Sequence, residues 1–350
     1  MSKFKRVMAM VITGIMMVGV LAGCAGTTST STTATTKAAD ASAATTSTAT
    51  SAVDASAATT GATKIKVAII LKALANEHWV AMKDAFTSQA AELGIEADIY
   101  AVDSESDMQG QLQKFEDALG KGYQGIAFAP ISPVNLIPTV VKANEKGIIV
   151  VNYDEKIDAT ELNNAGGYLA AFVTTDNEKI GEKAGQLIVD KLGASGGEVA
   201  IIEGLAGNAT SNARKTGVET ILKANTSITI VGSQPGDWDR TKAMDVATNM
   251  MQSNPDLKAF YCCNDTMALG VLEAVTNAGK KDQIIVVGTD GVSEAVQSVA
   301  DGGLTATVAQ DPVGFATKTL AALMDAITNQ QTGEGGTPAD VFVDSKLITK

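Results

Sequence analysis

Ten side chains of this 350-residue sequence lie in the stretches that come after short apolar runs and could do chemistry there. Lys72, Asn76, His78 and Trp79 follow the first run, and Asp154 follows another. Arg214, Trp238, Asn264, Asp290 and Gln310 fall in the second half. Carboxylate, guanidinium and amide groups present coplanar hydrogen-bonding atoms, as the adjacent hydroxyls of a pyranose or furanose require. The C–H faces of such a ring are apolar and suit an indole. Hydrogen bonds between charged groups and neutral hydroxyls contribute about 1.5–3 kcal/mol each. A micromolar complex requires about 8 kcal/mol, so a few contacts are enough. The chemistry implied is recognition of a monosaccharide.

Each residue also has an ordinary structural role to set beside this one. Asp154 and Asp290 can be turn or helix caps, Asn208 can cap the helix after it, and Arg214 can be a solvated helix charge. Trp79 and Trp238 can be half-buried core. His78 is the only histidine, so a Ser-His-Asp mechanism would have to use it, and zinc sites built from several histidines are excluded. No metal-ligand cluster, phosphate-cradling glycine loop or cofactor motif appears. A glycosidase would need two carboxyls flanking one bond, one of them raised in pKa. Asp154 and Asp290 are the candidates for that reading, but the groups around them suit keeping both ionised. Clustering after strand ends in both halves favours the binding site.

The elements that would position these residues alternate regularly. Strands are expected at 67–70, 98–101, 126–128 and 148–151, with helices over 79–93, 107–119 and 136–146 between them. From residue 174 the rhythm restarts: a helix over 178–192 leads to a run at 199–202 that repeats the composition of the first. The run 284–290 parallels 148–154, and each closes on an Asp. Such alternation implies an α/β fold with two similar open parallel-sheet, Rossmann-like domains, in which ligands bind outside the carboxyl ends of the strands.

The N-terminus adds a location. Lys3, Lys5 and Arg6 precede an uncharged run that closes on Leu21-Ala22-Gly23-Cys24, so residues 1–23 read as an export signal. The run is short for a membrane span of ~20 residues. Residues 24–63 are almost wholly Thr, Ser and Ala, too poor in large apolar side chains to offset ordering entropy, and read as a disordered tether. Removing the signal takes three basic residues and no acidic one, moving net charge from −12 to about −15. An acidic body repels phosphate backbones, which excludes nucleic acid as a partner. Cys262 and Cys263 lie in an apolar run and are expected to be buried free thiols.

From about residue 65 onward the chain resembles the ribose/allose class of periplasmic sugar-binding proteins, and within it the D-allose-binding group. The likeness is carried by the stretches 125–130, 152–158, 171–177, 198–208, 233–240, 264–268, 287–291 and 305–310. The small residues before Cys24 resemble a bacterial lipobox, which implies that Cys24 is acylated and the protein is lipid-anchored at the outer face of the cytoplasmic membrane. The resemblance implies a periplasmic-binding-protein type I fold, two domains joined by a three-segment hinge. Residues 64–173 with 312–339 would form the N-terminal lobe, and 174–311 with 340–350 the C-terminal lobe. It also implies a monomer that binds a monosaccharide between the lobes and presents it to an ABC permease, or alternatively to a chemoreceptor or sensor kinase. No enzyme activity is implied. By matching motifs the sugar contacts are Lys72, Asn76, Trp79, Asp154, Arg214, Trp238, Asn264, Asp290 and Gln310. One departure stands out: where allose-type proteins have Phe before the first-loop Trp, this chain has His78, which adds a hydrogen bond and stacks less well. D-allose, ribose and psicose therefore all remain open as ligands.

Overall fold

The computed structural model describes residues 64–350, apart from 337 and 339. The signal at 1–23, Cys24 and the tether at 24–63 lie outside the described residues. In the first half the chain runs β1 (Lys66–Ala73), α1 (Glu77–Glu92), β2 (Glu96–Val102), α2 (Met108–Ala118), β3 (Gly125–Phe128), α3 (Ile137–Glu145), β4 (Ile149–Tyr153), α4 (Ala159–Asn164) and β5 (Ala171–Thr175). The second half repeats this: α5 (Asn177–Leu192), β6 (Gly197–Glu203), α6 (Ala209–Lys223), β7 (Ile228–Pro235), α7 (Arg240–Ser253), β8 (Leu257–Cys262), α8 (Asp265–Asn277), β9 (Ile285–Asp290), α9 (Ser293–Asp301) and β10 (Ala306–Ala309). The chain ends with α10 (Pro312–Asn329), β11 (Asp340–Val343) and β12 (Lys346–Thr349).

Two six-stranded sheets result, in the orders β11-β5-β4-β3-β1-β2 and β12-β10-β9-β8-β6-β7. Apart from the terminal strands the two orders are the same, which is the duplication visible in the sequence. All described pairings are parallel except β10 with β12. The central strands are mostly apolar because helices cover both faces. In β1 and β4 every residue after Lys66 is buried. The second lobe has one continuous core around Ile201, Phe260, Val271 and Val287. The first has separate cores on its two sheet faces, one around Phe86 and Phe315 and the other around Phe115 and Phe128.

The lobes are joined where the chain leaves one sheet for the other: after β5, after β10, and between β11 and β12. Helices exchange at the first two crossings. α5 follows the first sheet but packs on α6 and the second sheet, while α10 follows the second sheet and packs on α1 and the first. The α5–α6 contact is close enough to demand glycine. A Cβ on Gly181 would lie 2.1 Å from the Arg214 carbonyl oxygen, and one on Gly217 would lie 2.0 Å from that of Glu178.

Two stretches sit differently from the expected lobe limits. Thr174 and Thr175 complete β5 in the first sheet, and residues 340–343, expected in the C-terminal lobe, form β11 beside β5. An edge strand of four residues carries no pattern that says which sheet it joins, so its placement needs the paired partner. Cys262 and Cys263 are free and buried, and burial pushes the Cys263 thiol up to about 12. No helix among the described residues is long and apolar enough to cross a membrane.

Candidate functional site

The carboxyl ends of the two sheets border one small cavity. All ten candidate residues line it: Lys72, Asn76, His78, Trp79, Asp154, Arg214, Trp238, Asn264, Asp290 and Gln310. Their positions follow from strand–helix geometry. Lys72 is the penultimate residue of β1, Asn76 is the N-cap of α1, and His78 and Trp79 occupy the first turn of that helix. Asn264 is the N-cap of α8, and its side chain accepts from Met267 N–H at 2.9 Å. Asp154 and Asp290 stand at equivalent ends of β4 and β9, with φ of 61° and 120°. Trp238 has φ of 64°. Non-glycine residues rarely adopt this region, and such strain concentrates at functional sites.

The second-lobe wall is a network of direct bonds. Arg214, 3% exposed, donates from Nε to Asn177 Oδ1 (2.9 Å) and from Nη1 to the Cys263 carbonyl (2.6 Å) and Asp290 Oδ1 (3.3 Å). Gln310 donates from Nε2 to Asp290 Oδ1 at 2.8 Å and accepts from Thr175 Oγ1 at 3.0 Å. Burial works against the guanidinium charge, but Asp290, Tyr261, Asp154 and Cys263 together outweigh it and the Arg214 pKa rises. Behind Asp290, Asp265 Oδ2 accepts from Gly291 N–H (2.7 Å) and Val292 N–H (3.0 Å), which fixes the unusual turn. Burial, with Asp290 nearby, drives the Asp265 carboxyl well above its usual range. The Trp238 indole lies against Gly204, where a Cβ would come within 2.0 Å of Cζ2.

The first-lobe wall is held by charge at longer range. Lys72 Nζ stands 3.8 Å from Asp154 Oδ1 and 3.8 Å from Glu155 Oε2, and 5.3 Å from the centre of the Trp79 ring. His78 Nε2 lies 3.8 Å from Asp154 Oδ2 and has no hydrogen-bond partner. At that distance the contact is electrostatic. Burial opposes ionisation of Asp154, yet His78, Lys72 and Arg214 together hold its carboxyl below the usual range. For Lys72 the burial penalty is outweighed by Glu155, Asp154 and Glu105, and its pKa rises.

Three lining residues were absent from the sequence-based candidates: Glu105, Glu155 and Thr210. Glu105, in the loop after β2, accepts from Trp79 Nε1 (2.7 Å) and Asn76 Nδ2 (3.2 Å). Its position beyond a strand end is the signal that identified the other ten. Burial raises its carboxyl, partly offset by Lys72, Trp79 and Asn76. Glu155, fully buried, reaches across the cleft to the start of α6, accepting from Asn208 Nδ2 (2.5 Å), Ala209 N–H (2.9 Å) and Thr210 N–H (3.3 Å). A carboxylate there satisfies orphan amides and complements the helix dipole. Asn208, read as a helix cap, does cap α6 through Ser211 N–H at 2.8 Å, besides serving this bridge. Among the described residues no group of His, Cys, Asp and Glu is arranged to hold a metal ion.

Two α/β lobes joined by three crossings, with polar side chains from both converging on one closed cleft, define a hinged binding protein. The periplasmic binding protein domain family matches residues 67–331, and this chain belongs to that family. Its place is therefore extracytoplasmic. It is 52% identical over 287 residues to the D-allose-binding periplasmic protein of Escherichia coli, covering 81% of this chain and 91% of that one. It is 34% identical over 246 residues to the ribose import binding protein of Bacillus subtilis, covering 70% and 76% respectively. An ABC transporter periplasmic solute binding protein from Actinobacillus succinogenes, solved with bound D-allose, superposes with a TM-score of 0.76 at 27% identity. That match covers 82% of this chain and 98% of the other.

Proposed function

We propose that this chain is the substrate-binding component of an ABC sugar importer and closes its lobes on a monosaccharide, with D-allose the favoured ligand and ribose or psicose the alternatives. The observation that carries this reading is the convergence of planar amide, carboxylate and guanidinium groups, with two indoles, on one small cleft shared by both lobes. The names of the relatives, one for D-allose and another for ribose, point the same way. The charged groups nearly balance. Lys72, Arg214 and His78 face Asp154, Asp290, Glu155 and Glu105, which suits a neutral, hydroxyl-rich ligand better than a sugar acid or phosphate. The ten residues named from the sequence are the proposed sugar contacts, joined by Glu105.

Sugar entering between the lobes gains contacts from both only when they close, so its binding energy favours the closed state. The cognate permease would then read the closed shape. Acylation at Cys24 would tether a monomer beside it. Turnover does not fit this cleft. A glycosidase needs one protonated carboxyl free to reach the scissile bond, whereas the Glu105 carboxyl, though raised by burial, is engaged as acceptor by Trp79 Nε1 and Asn76 Nδ2.

Calorimetric titration with D-allose, D-ribose, D-psicose, D-galactose, D-xylose and D-glucose, paired with small-angle scattering, tests the proposal. One sugar is expected to bind tightly, to compact the protein, and to stabilise it by about 2.7 kcal/mol at a hundredfold excess over Kd. Absence of heat and compaction with all six would overturn it.

A further inference from the structure

Among the side chains that line the cleft, one fully buried polar atom lacks a hydrogen-bond partner. Nε2 of His78 is buried, its residue 5% exposed, and lacks a hydrogen-bond partner. Its backbone N–H donates to Asn76 Oδ1 at 3.1 Å, and its ring stands edge-on to Trp79 at 5.0 Å and 82°. In this position Nε2 faces Asp154 Oδ2, 3.8 Å away. That separation is too long for a direct hydrogen bond, yet short enough for one oxygen atom to touch both atoms at about 2.8 Å.

We infer that His78 and Asp154 jointly read a single hydroxyl group of the bound sugar, the imidazole donating to its oxygen and the carboxylate accepting its O–H. This rests on the monosaccharide reading above and deepens it, naming the pair that sets discrimination at one ring position. A hydroxyl is the group that matches, because it accepts and donates at once. A deoxy position would leave a buried donor and a buried carboxylate unpaired, the situation in which a polar site rejects a ligand most strongly.

The geometry also makes the reading pH-dependent. The charged groups facing His78 are Asp154 beyond β4, Asp290 at the end of β9 and Arg214 on α6, while Lys72 and Glu105 flank its neighbour Trp79. Burial disfavours the imidazolium, but Asp290 and Asp154 outweigh it, and the pKa rises above its ordinary 6.5. Asp290 belongs to the opposite lobe, so closure brings it to the ring and favours the proton. The sign follows from this. The contribution of charged His78 is complete below pH 6.5 and is lost as pH rises through the raised value.

The test titrates D-allose and D-ribose, each with its single-position deoxy analogues, into the wild-type protein, His78→Phe and His78→Gln. Titrations run from about pH 5 to about pH 9, the range in which histidine changes charge. In the wild type one deoxy position is expected to cost about 10–100-fold in affinity, the value of one charge-assisted hydrogen bond. Affinity for the parent sugar is expected to fall as pH rises past the histidine titration. His78→Phe retains a ring against Trp79 and, once circular dichroism shows it folded, should lose most of that discrimination together with the pH dependence. His78→Gln should keep part of the discrimination with a flat pH profile. Parent sugar bound by wild type and His78→Phe with the same deoxy penalties and the same pH profile would overturn this inference alone. No binding of either sugar by the wild type would overturn it together with the monosaccharide reading.

Discussion

In the second lobe the groups that face the cleft hold one another: Arg214 and Gln310 both donate to Asp290, and Asp265 fixes the turn behind it. In the first lobe Lys72 and His78 each stand 3.8 Å from Asp154, and Nε2 of His78 is unpartnered. The second wall is thus held by its own hydrogen bonds, which fix its side chains. The first wall keeps hydrogen-bonding capacity that a third group between its members could use. On the proposed function, one wall would place the ligand and the other would gain most from it. Between them stands Glu155, a first-lobe carboxylate whose hydrogen-bond partners are all at the start of α6.

Arg214→Ala should break the comparison most severely. It leaves Asp290 buried without its cation, and removing one partner of a buried pair costs about 3–5 kcal/mol. Calorimetry should show sugar affinity falling by about a thousandfold or more, and thermal unfolding a clear loss of stability. Binding within about tenfold of wild type would show that the second wall is not the scaffold.

Asp154→Asn probes the other wall. Asn tolerates the φ of 61° at this position, so the backbone should persist. Affinity is expected to drop by about 10–100-fold, the worth of one charged hydrogen bond, with a smaller fall in melting temperature than Arg214→Ala causes, because Lys72 still faces Glu155. A loss of stability as large as that of Arg214→Ala would erase the distinction between the walls.

Glu155→Gln sharpens the comparison at the cross-cleft contact, with the smallest effect. A neutral amide caps the α6 N-terminus less well, and a capping contact is worth about 0.5–2 kcal/mol. Scattering from the sugar-free protein should shift toward the open form, and affinity should fall by about 2–30-fold. Unchanged scattering with unchanged affinity would show that Glu155 does not couple the lobes.

The rule that ligands bind beyond strand ends brought all ten candidate residues to one cavity, because in both halves the strand–helix rhythm fixes where each strand stops. Lys72 and Asp154 could be read this way because Lys72 directly follows an uninterrupted apolar run and Asp154 stands three residues beyond another. Glu105 obeys the same rule, but β2 is half-buried and less apolar, so its end is harder to see. Glu155 was visible beside Asp154, yet its role depends on Asn208, 53 residues away and in the other lobe. The edge strand β11 had too few residues to declare its sheet.

By itself the sequence determined the alternation of strands and helices, the duplication, and the chemical character of the cleft, since period, apolar run length and residue type are local properties. Only the tertiary structure decided which groups of that cleft already hold one another and which do not. The bonds from Arg214 and Gln310 to Asp290, the reach of Glu155 to α6 and the unpartnered Nε2 of His78 depend on ångström-scale distances between segments far apart in the chain. Those distances are set by how the two sheets pack and cross, which no local pattern encodes.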